Sequence, residues 1–199
     1  MNYTIFFLLI ALLIFIGYRS VVSANGDLVR ARAWGEVARR MLPFGGILLM
    51  AATLPLIQNP PADWVPLTWA VAMGALILLC NIFSIPSGER KAARAFRKGR
   101  YEEAERLYER LGREKPLARY HAFRGAALAA AERHEEALQA TSRAIEMDPE
   151  YGIAYYNRAM NYRKMGRKRS ALADFKKALE VDLPRRFRKV SRQAIEELS

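Results

Sequence analysis

The chain has one cysteine and two histidines in 199 residues. Cys80 lies within an apolar run, so a disulfide within the chain and a cysteine metal cluster are both excluded. A small buried or lipid-facing side chain is the reading left for it. His121 reads as a packed core residue rather than a base, and His134 has no partner at metal-ligand spacing. No phosphate-cradling glycine loop, serine elbow or catalytic carboxylate pair stands out. The pairs Glu102-Glu103 and Glu135-Glu136 sit at helix starts, where they favour the helix dipole. The expectation is therefore no enzyme, no cofactor, no metal and no small-molecule substrate.

Charge is missing from three stretches. No Asp, Glu, Lys or Arg lies between Tyr3 and Tyr18, within Met41–Ile57 or within Val65–Ile85. A crossing helix needs about 20 apolar residues, so these runs predict membrane spans over about 1–22, 41–57 and 65–85. Transport pathways usually place ionisable residues inside the spans, so anchoring and assembly are favoured over conduction. The small residues Val22 to Ala24 resemble a signal cleavage site. A signal peptide normally opens with positive charge, however, and nothing before Arg19 is charged, which favours a retained anchor. Trp64 and Trp69 suit the interface belt.

What charge there is lies elsewhere and is unbalanced: Lys plus Arg number 32 against 20 acids, a net +12. Arg19, Arg30, Arg32, Arg39 and Arg40 precede the second run, the 58–64 turn has no Lys or Arg, and the sequence after Ile85 is strongly basic. The positive-inside rule then puts the N-terminus outside and the C-terminal region on the cytoplasmic side of an inner (plasma) membrane of bacterial type. Between the first two runs, Val29, Ala33, Val37 and Met41 recur at four-residue steps. They predict an amphipathic helix over about 26–40, either lying on anionic headgroups or bridging as a solvated connector.

Residues 87–199 repeat. Ala137, Ala144 and Asp148 recur as Ala171, Ala178 and Asp182, 34 positions on, and Ala104 precedes Ala137 by 33. Each unit reads as two helices around a short turn, over about 87–117, 118–151 and 152–183. Small residues (Ala92, Gly125, Ala159, with Ala104, Ala137 and Ala171 opposite) permit close helix approach, and Tyr155, Tyr162 and Phe175 fill the gaps. Gly99 and Gly166 permit tight turns, and Pro116 and Pro149 end helices. Phe187, Val190, Ala194, Ile195 and Leu198 share one face of a last helix over 184–198, as a cap on a repeat stack requires.

With this period and these residue types, the region resembles the tetratricopeptide repeat (TPR) family. It departs at Arg124 and Arg158, where leucine is usual, at Thr141, where an aromatic is common, and in its third closing proline, displaced to Pro184. Together with the three apolar runs, the resemblance implies an all-α fold of about three N-terminal transmembrane helices (residues 1–86) followed by a TPR α-solenoid of three helix pairs and a C-terminal capping helix. It also implies a concave groove lined by first helices. Carried over by helix face, the groove would present Arg97, Arg119, Phe123, Ile153, Tyr156, Asn157, Met160, Arg163 and Lys164, together with Ala122 and Ala126. Phe123, Tyr156 and Met160 are expected to face where packing does not require them. The Lys/Asn set with which some TPR domains clamp a C-terminal carboxylate is not matched, since Ala93 and Phe123 stand in its place.

The function these features imply is a membrane-anchored adaptor or scaffold that binds a peptide or helix of a membrane-associated partner protein. The alternative is an accessory subunit of a transport or export complex. Arg90, Lys91, Arg94 and Lys98 are expected to face anionic lipid headgroups while Ala92, Ala95 and Phe96 face the stack. Arg185, Arg186, Arg188, Lys189 and Arg192 cluster on the capping helix. With no nucleic-acid reader motif, lipid or solvent suits them better than nucleic acid.

Overall fold

The computed structural model describes residues 3–57 and 62–199, with side chains from residue 8 onward except those of 9, 10 and 56. Its helices are α1 (Tyr3–Ala24), α2 (Gly26–Arg30), α3 (Trp34–Thr53), α4 (Val65–Ser84), α5 (Ser87–Arg97), α6 (Tyr101–Glu114), α7 (Ala118–Ala130), α8 (His134–Met147), α9 (Gly152–Lys164), α10 (Lys168–Glu180) and α11 (Arg185–Leu198). They divide into two compact units. One is the chain up to Asn25 with Ala33–Pro86; the other is Gly26–Arg32 with Ser87–Ser199.

In the first unit α3 packs against both α1 and α4. Glycines set the approach: a methyl on Gly17 would run into the Phe44 ring, and one on Gly46 would lie 3.3 Å from Ile77 Cγ1 and 3.6 Å from Cys80 Sγ. The Trp69 indole N–H donates to Thr53 Oγ1 at 3.1 Å, which satisfies a polar edge otherwise costly in apolar surroundings. The three expected spans are not all present. Among the described residues only α4 is long and apolar enough to cross a membrane. The Met41–Ile57 run is no helix of its own: it continues α3, whose opening turns carry Glu36, Arg39 and Arg40, and ends in a 3₁₀ turn at Leu54–Ile57. Of the first run, the described apolar stretch is Ala11–Ala24; the side chains of 1–7 lie outside the described residues, as does part of the expected 58–64 turn, at 58–61.

The amphipathic helix expected over about 26–40 is also corrected. The chain breaks between α2 and α3, with Arg32 at φ 53°. The four-residue spacing from Val29 to Met41 thus spans two elements instead of marking one face. A left-handed residue without glycine's freedom is uncommon and ends the helix there.

The second unit is a stack of antiparallel helix pairs, α5–α6, α7–α8 and α9–α10, with α11 packed on α10. The recurring small residues form its axis: Ala92, Ala104, Ala122, Ala137, Ala159 and Ala171 are all fully buried. Gly125 allows the closest approach. A methyl there would lie 3.1 Å from the Ala137 carbonyl oxygen, 3.3 Å from the Thr141 nitrogen and inside the Thr141 methyl group. That contact accounts for a buried threonine where the third unit has Phe175: no ring fits, and the Thr141 hydroxyl donates to Ala137 O at 2.7 Å.

Inter-helix turns need a left-handed residue. Gly99 and Gly166 supply it at φ 73°, and Glu132 takes the same place in the second unit at φ 62°. The two arginines in leucine positions are answered by acids. Arg124 donates to Glu105 at 2.7 Å, and Arg158 grips Asp174 through two bonds of 2.7 and 2.9 Å.

The two buried-side glycines of the middle of the stack should separate in experiment. Gly125→Ala forces overpacking and should destabilise by about 1–3 kcal/mol. Gly112→Ala meets nothing nearer than His121 Nε2 at 3.7 Å and should be neutral or stabilising by up to about 1 kcal/mol, as a helical glycine replaced by alanine is. Denaturant midpoints followed by helical circular dichroism read both.

Candidate functional site

A five-residue helix does not hold itself together in water, because nucleation fixes several residues for one hydrogen bond. The sequence Gly-Asp-Leu-Val-Arg of α2 is therefore helical only because something grips it, and the repeat stack does. Asp27 Oδ1 and Oδ2 each accept from the Arg119 guanidinium at 2.6 Å, with both side chains about 5% exposed. Three residues on, Arg30 Nε donates to both oxygens of Asp148 at 3.0 Å and its Nη1 to Asp182 at 3.3 Å. Between these poles Leu28 is fully buried. Residues three apart lie on the same helical face, so one turn of α2 presents an acid and a base together.

The stack prepares both receptors. Arg119 is in the first turn of α7, where Glu89 from α5 also approaches it, at 3.9 Å. Asp148 follows α8 and Asp182 follows α10, at equivalent places in successive repeats. The Asp148 carboxylate accepts the Glu150 amide at 3.1 Å. Asp182 is drawn in by a parallel bridge to Tyr151, with the Gly152 amide donating to Asp182 O and the Asp182 amide to Glu150 O, each at 3.1 Å. A methyl on Gly152 would lie 2.8 Å from Asp182 O and from Leu183 N, so glycine is required at this crossing.

Electrostatics follow from burial. Desolvation works to lower the pKa of Arg119, but the hydrogen bonds and charge of Asp27 more than offset it and the net shift is upward. Arg30 behaves likewise: burial lowers, Asp148 and Asp182 raise, and the net is upward. The Tyr151 phenol is pushed up, first by burial and then by the Asp27 charge, with Arg119 opposing. Both arginines stay cationic and the tyrosine neutral. A buried ion pair of this kind is weak as a source of net stability but strict about its partner, since an unpaired buried charge costs several kcal/mol.

The groove residues expected from the repeat pattern fare differently. Arg119 is in the site. Ile153 is buried in the core, and Arg97 is exposed at the end of α5. Phe123 stacks on Tyr108 with centroids 5.5 Å apart, and Tyr156 packs on Phe187 at 4.8 Å and Phe175 at 6.1 Å. Met160 packs into the cluster of Ala159, Ala171, Phe175 and Ala194. The expectation that Phe123, Tyr156 and Met160 face away from packing is thus corrected: α6 and the capping helix cover them. Asn157 donates to Ala122 O at 2.9 Å and Lys164 to Ala129 O at 3.3 Å, while Arg163 meets Glu197 at 3.4 Å. Lys91 and Arg94 on α5 and Lys98 in the turn after it are exposed, and Arg90 is half-buried.

The remaining candidates are structural. His134 Nδ1 lies 2.7 Å from Asn161 Oδ1, and Asn161 donates to His134 O at 2.8 Å. The pKa of His121 is lowered, mainly by burial and then by Arg143 and Arg124. Among the described residues no group of three His, Cys, Asp or Glu could hold a metal ion. Arg188 of the capping cluster donates to Leu179 O at 2.7 Å and Leu183 O at 3.3 Å. Sequence reasoning missed Asp27, Arg30, Glu89 and the roles of Asp148 and Asp182. The aspartates recur with the repeat, but nothing in the sequence joins them to a residue 118 or 152 positions away.

Comparison with known proteins fits this architecture. Residues 90–152 and 152–182 match models of the tetratricopeptide repeat: the chain carries tetratricopeptide repeats in an all-α solenoid. Among solved structures it is similar to the TPR2AB domain of yeast Sti1 in its complex with pHSP90. The TM-score is 0.50 at 20% identity, over 91% of this chain and 79% of that one. No curated protein sequence matches it.

If side-chain charge is what holds α2, Asp148→Asn with Asp182→Asn should raise hydrogen exchange of the 26–32 amides at least tenfold and leave α7–α10 protected. Peptide-resolved exchange by mass spectrometry of the full chain reads this, and uniform loss of protection would contradict it.

Proposed function

We propose that the protein is a membrane-anchored TPR adaptor that holds a helical or peptide segment of a partner protein on its repeat stack at the cytoplasmic membrane surface. The observation that carries this reading is α2 itself: a short helix, unable to persist alone, is seated on the first turn of α7 and the loops after α8 and α10 by complementary charges. A surface that orders one helical turn is equipped to order another, and helix-on-surface recognition through spaced anchors is a recurring binding mode. The structural neighbour from yeast Sti1, solved as a complex with pHSP90, supports protein recognition by this fold.

Anchoring rests on α4. Its Leu67, Val71, Leu78 and Phe83 are all more than 60% exposed, an apolar surface that suits lipid more than water. The basic side chains of Arg90, Lys91, Arg94 and Lys98 follow directly and suit anionic headgroups. We read the basic residues on both flanks of the apolar region, in 26–32 and after Ile85, as facing one side. The positive-inside rule assigns that side to the cytoplasm and the N-terminus to the outside, in a membrane of the bacterial inner type. The role so described involves binding and no catalysis.

A photo-crosslinking amino acid at Ala126, half-buried on α7 one turn beyond Ala122, tests the reading in membranes of the producing cell. A discrete protein adduct is expected, reduced at least tenfold by Arg119→Glu and unchanged by the exposed Arg169→Glu. Adducts with lipid alone, or indifferent to Arg119, would refute it.

A further inference from the structure

The site has two poles of opposite sign at a fixed separation. Arg119 receives a carboxylate, and Asp148 with Asp182 receives a guanidinium. The distance between the poles is bridged by residues 27 and 30, one turn of helix, with the acid nearer the N-terminus and a buried leucine beside it. We propose that α2 is the resident, exchangeable occupant of this receptor. Its partner ligand is a helical segment with the same acid–apolar–x–base turn, which binds by replacing Gly26–Arg30. The inference rests on the adaptor reading and specifies its ligand and its regulation.

Three observations separate an exchangeable occupant from an ordinary piece of the fold. First, the receptor is built without α2: the Glu150 amide fixes Asp148, the backbone bridge at Tyr151 fixes Asp182, and Arg119 is on a regular helix. Second, α2 is only five residues long, and the side chains that tie it to the stack are the ion-paired Asp27 and Arg30 and the single buried Leu28. Third, the pairs are specific but of modest net strength. Arg30 and Asp182 are about a third or more exposed, so water and salt weaken their pair, and the buried Asp27–Arg119 pair recovers solvation when the two part. A partner with the same acid–apolar–x–base turn can make the same contacts as α2, and its contacts beyond one turn offset the tethering advantage of α2. Occupancy in cis then sets a threshold, because apparent affinity falls in proportion to the fraction of receptors left open.

The probe is a fluorescent synthetic peptide of residues 23–33, SANGDLVRARA, added to the full chain in detergent and followed by anisotropy. The Asp27→Ala, Arg30→Ala double variant should bind it at least tenfold more tightly than the wild type, and adding Arg119→Ala should abolish that gain. A peptide with its Asp and first Arg exchanged should not bind. Equal affinity of wild type and double variant overturns the proposal, as does binding of the exchanged peptide. Loss of helical circular dichroism in both the double variant and Arg30→Ala alone would also overturn it, by making α2 integral to the fold. A wild-type dimer in light scattering that Arg119→Ala dissolves would assign the receptor to a second copy and overturn the partner assignment. Absence of peptide exchange together with Arg119-dependent adducts at Ala126 would sink this inference and leave the adaptor reading standing.

Discussion

The bidentate pair between Asp27 and Arg119 is the constraint on which the placement of the 26–32 segment depends. It takes a guanidinium and a carboxylate out of water together, and the desolvation cost of doing so largely cancels their attraction. What survives is specificity. Arg119 accepts a planar carboxylate in one orientation, and that fixes which residue of the 26–32 segment points inward and in what direction the turn runs. Leu28 and Arg30 then fall where they do because they share that turn. Without the pair, the 26–32 segment would keep only Leu28 and the Arg30 contacts to hold it to the repeats.

The repeats can offer such a receptor because their interior is dominated by small side chains. Alanines at equivalent positions bring the helices close, and the loops after α8 and α10 arrive in equivalent places, one repeat apart. That regularity brings Asp148 and Asp182 to a single guanidinium, while the bridge at Tyr151 ties the two loops. Departures from the usual pattern fit the same logic. Arg124 and Arg158 occupy leucine positions only because Glu105 and Asp174 neutralise them, and Thr141 is small because Gly125 brings α7 so near.

Much of this was legible in the sequence, and the division has physical causes. Period, helix pairing, the left-handed turns at Gly99 and Gly166 and the capping helix are local or quasi-local consequences of residue type. The equivalent turn at Glu132 was not readable, since no glycine marks it and the neighbouring repeats impose the conformation. Helix face alone picks out the groove residues, and it does not say that α11 packs over Tyr156 and Met160. The stretch 26–40 looked amphipathic because four-residue spacing is blind to a break at Arg32. The Met41–Ile57 run reads as a separate span on apolarity alone, which ignores the charged opening turns of α3 to which it belongs. Asp27 meeting Arg119 across 92 positions is a tertiary event that no local pattern encodes.

In this account the 26–32 segment and the repeat stack form one binding device, with the receptor and its proposed first occupant in the same chain. The most direct test is a double-mutant cycle at the central pair, using Asp27→Arg, Arg119→Asp and the swapped double variant, with stability of the repeat unit read by denaturant unfolding. A directly paired, desolvated contact should show favourable coupling above about 1.5 kcal/mol, as close charge pairs do elsewhere, with the swap recovering much of what each single change loses. Coupling near zero, with the two losses simply adding, would mean that Asp27 and Arg119 do not hold each other, and the account would fail.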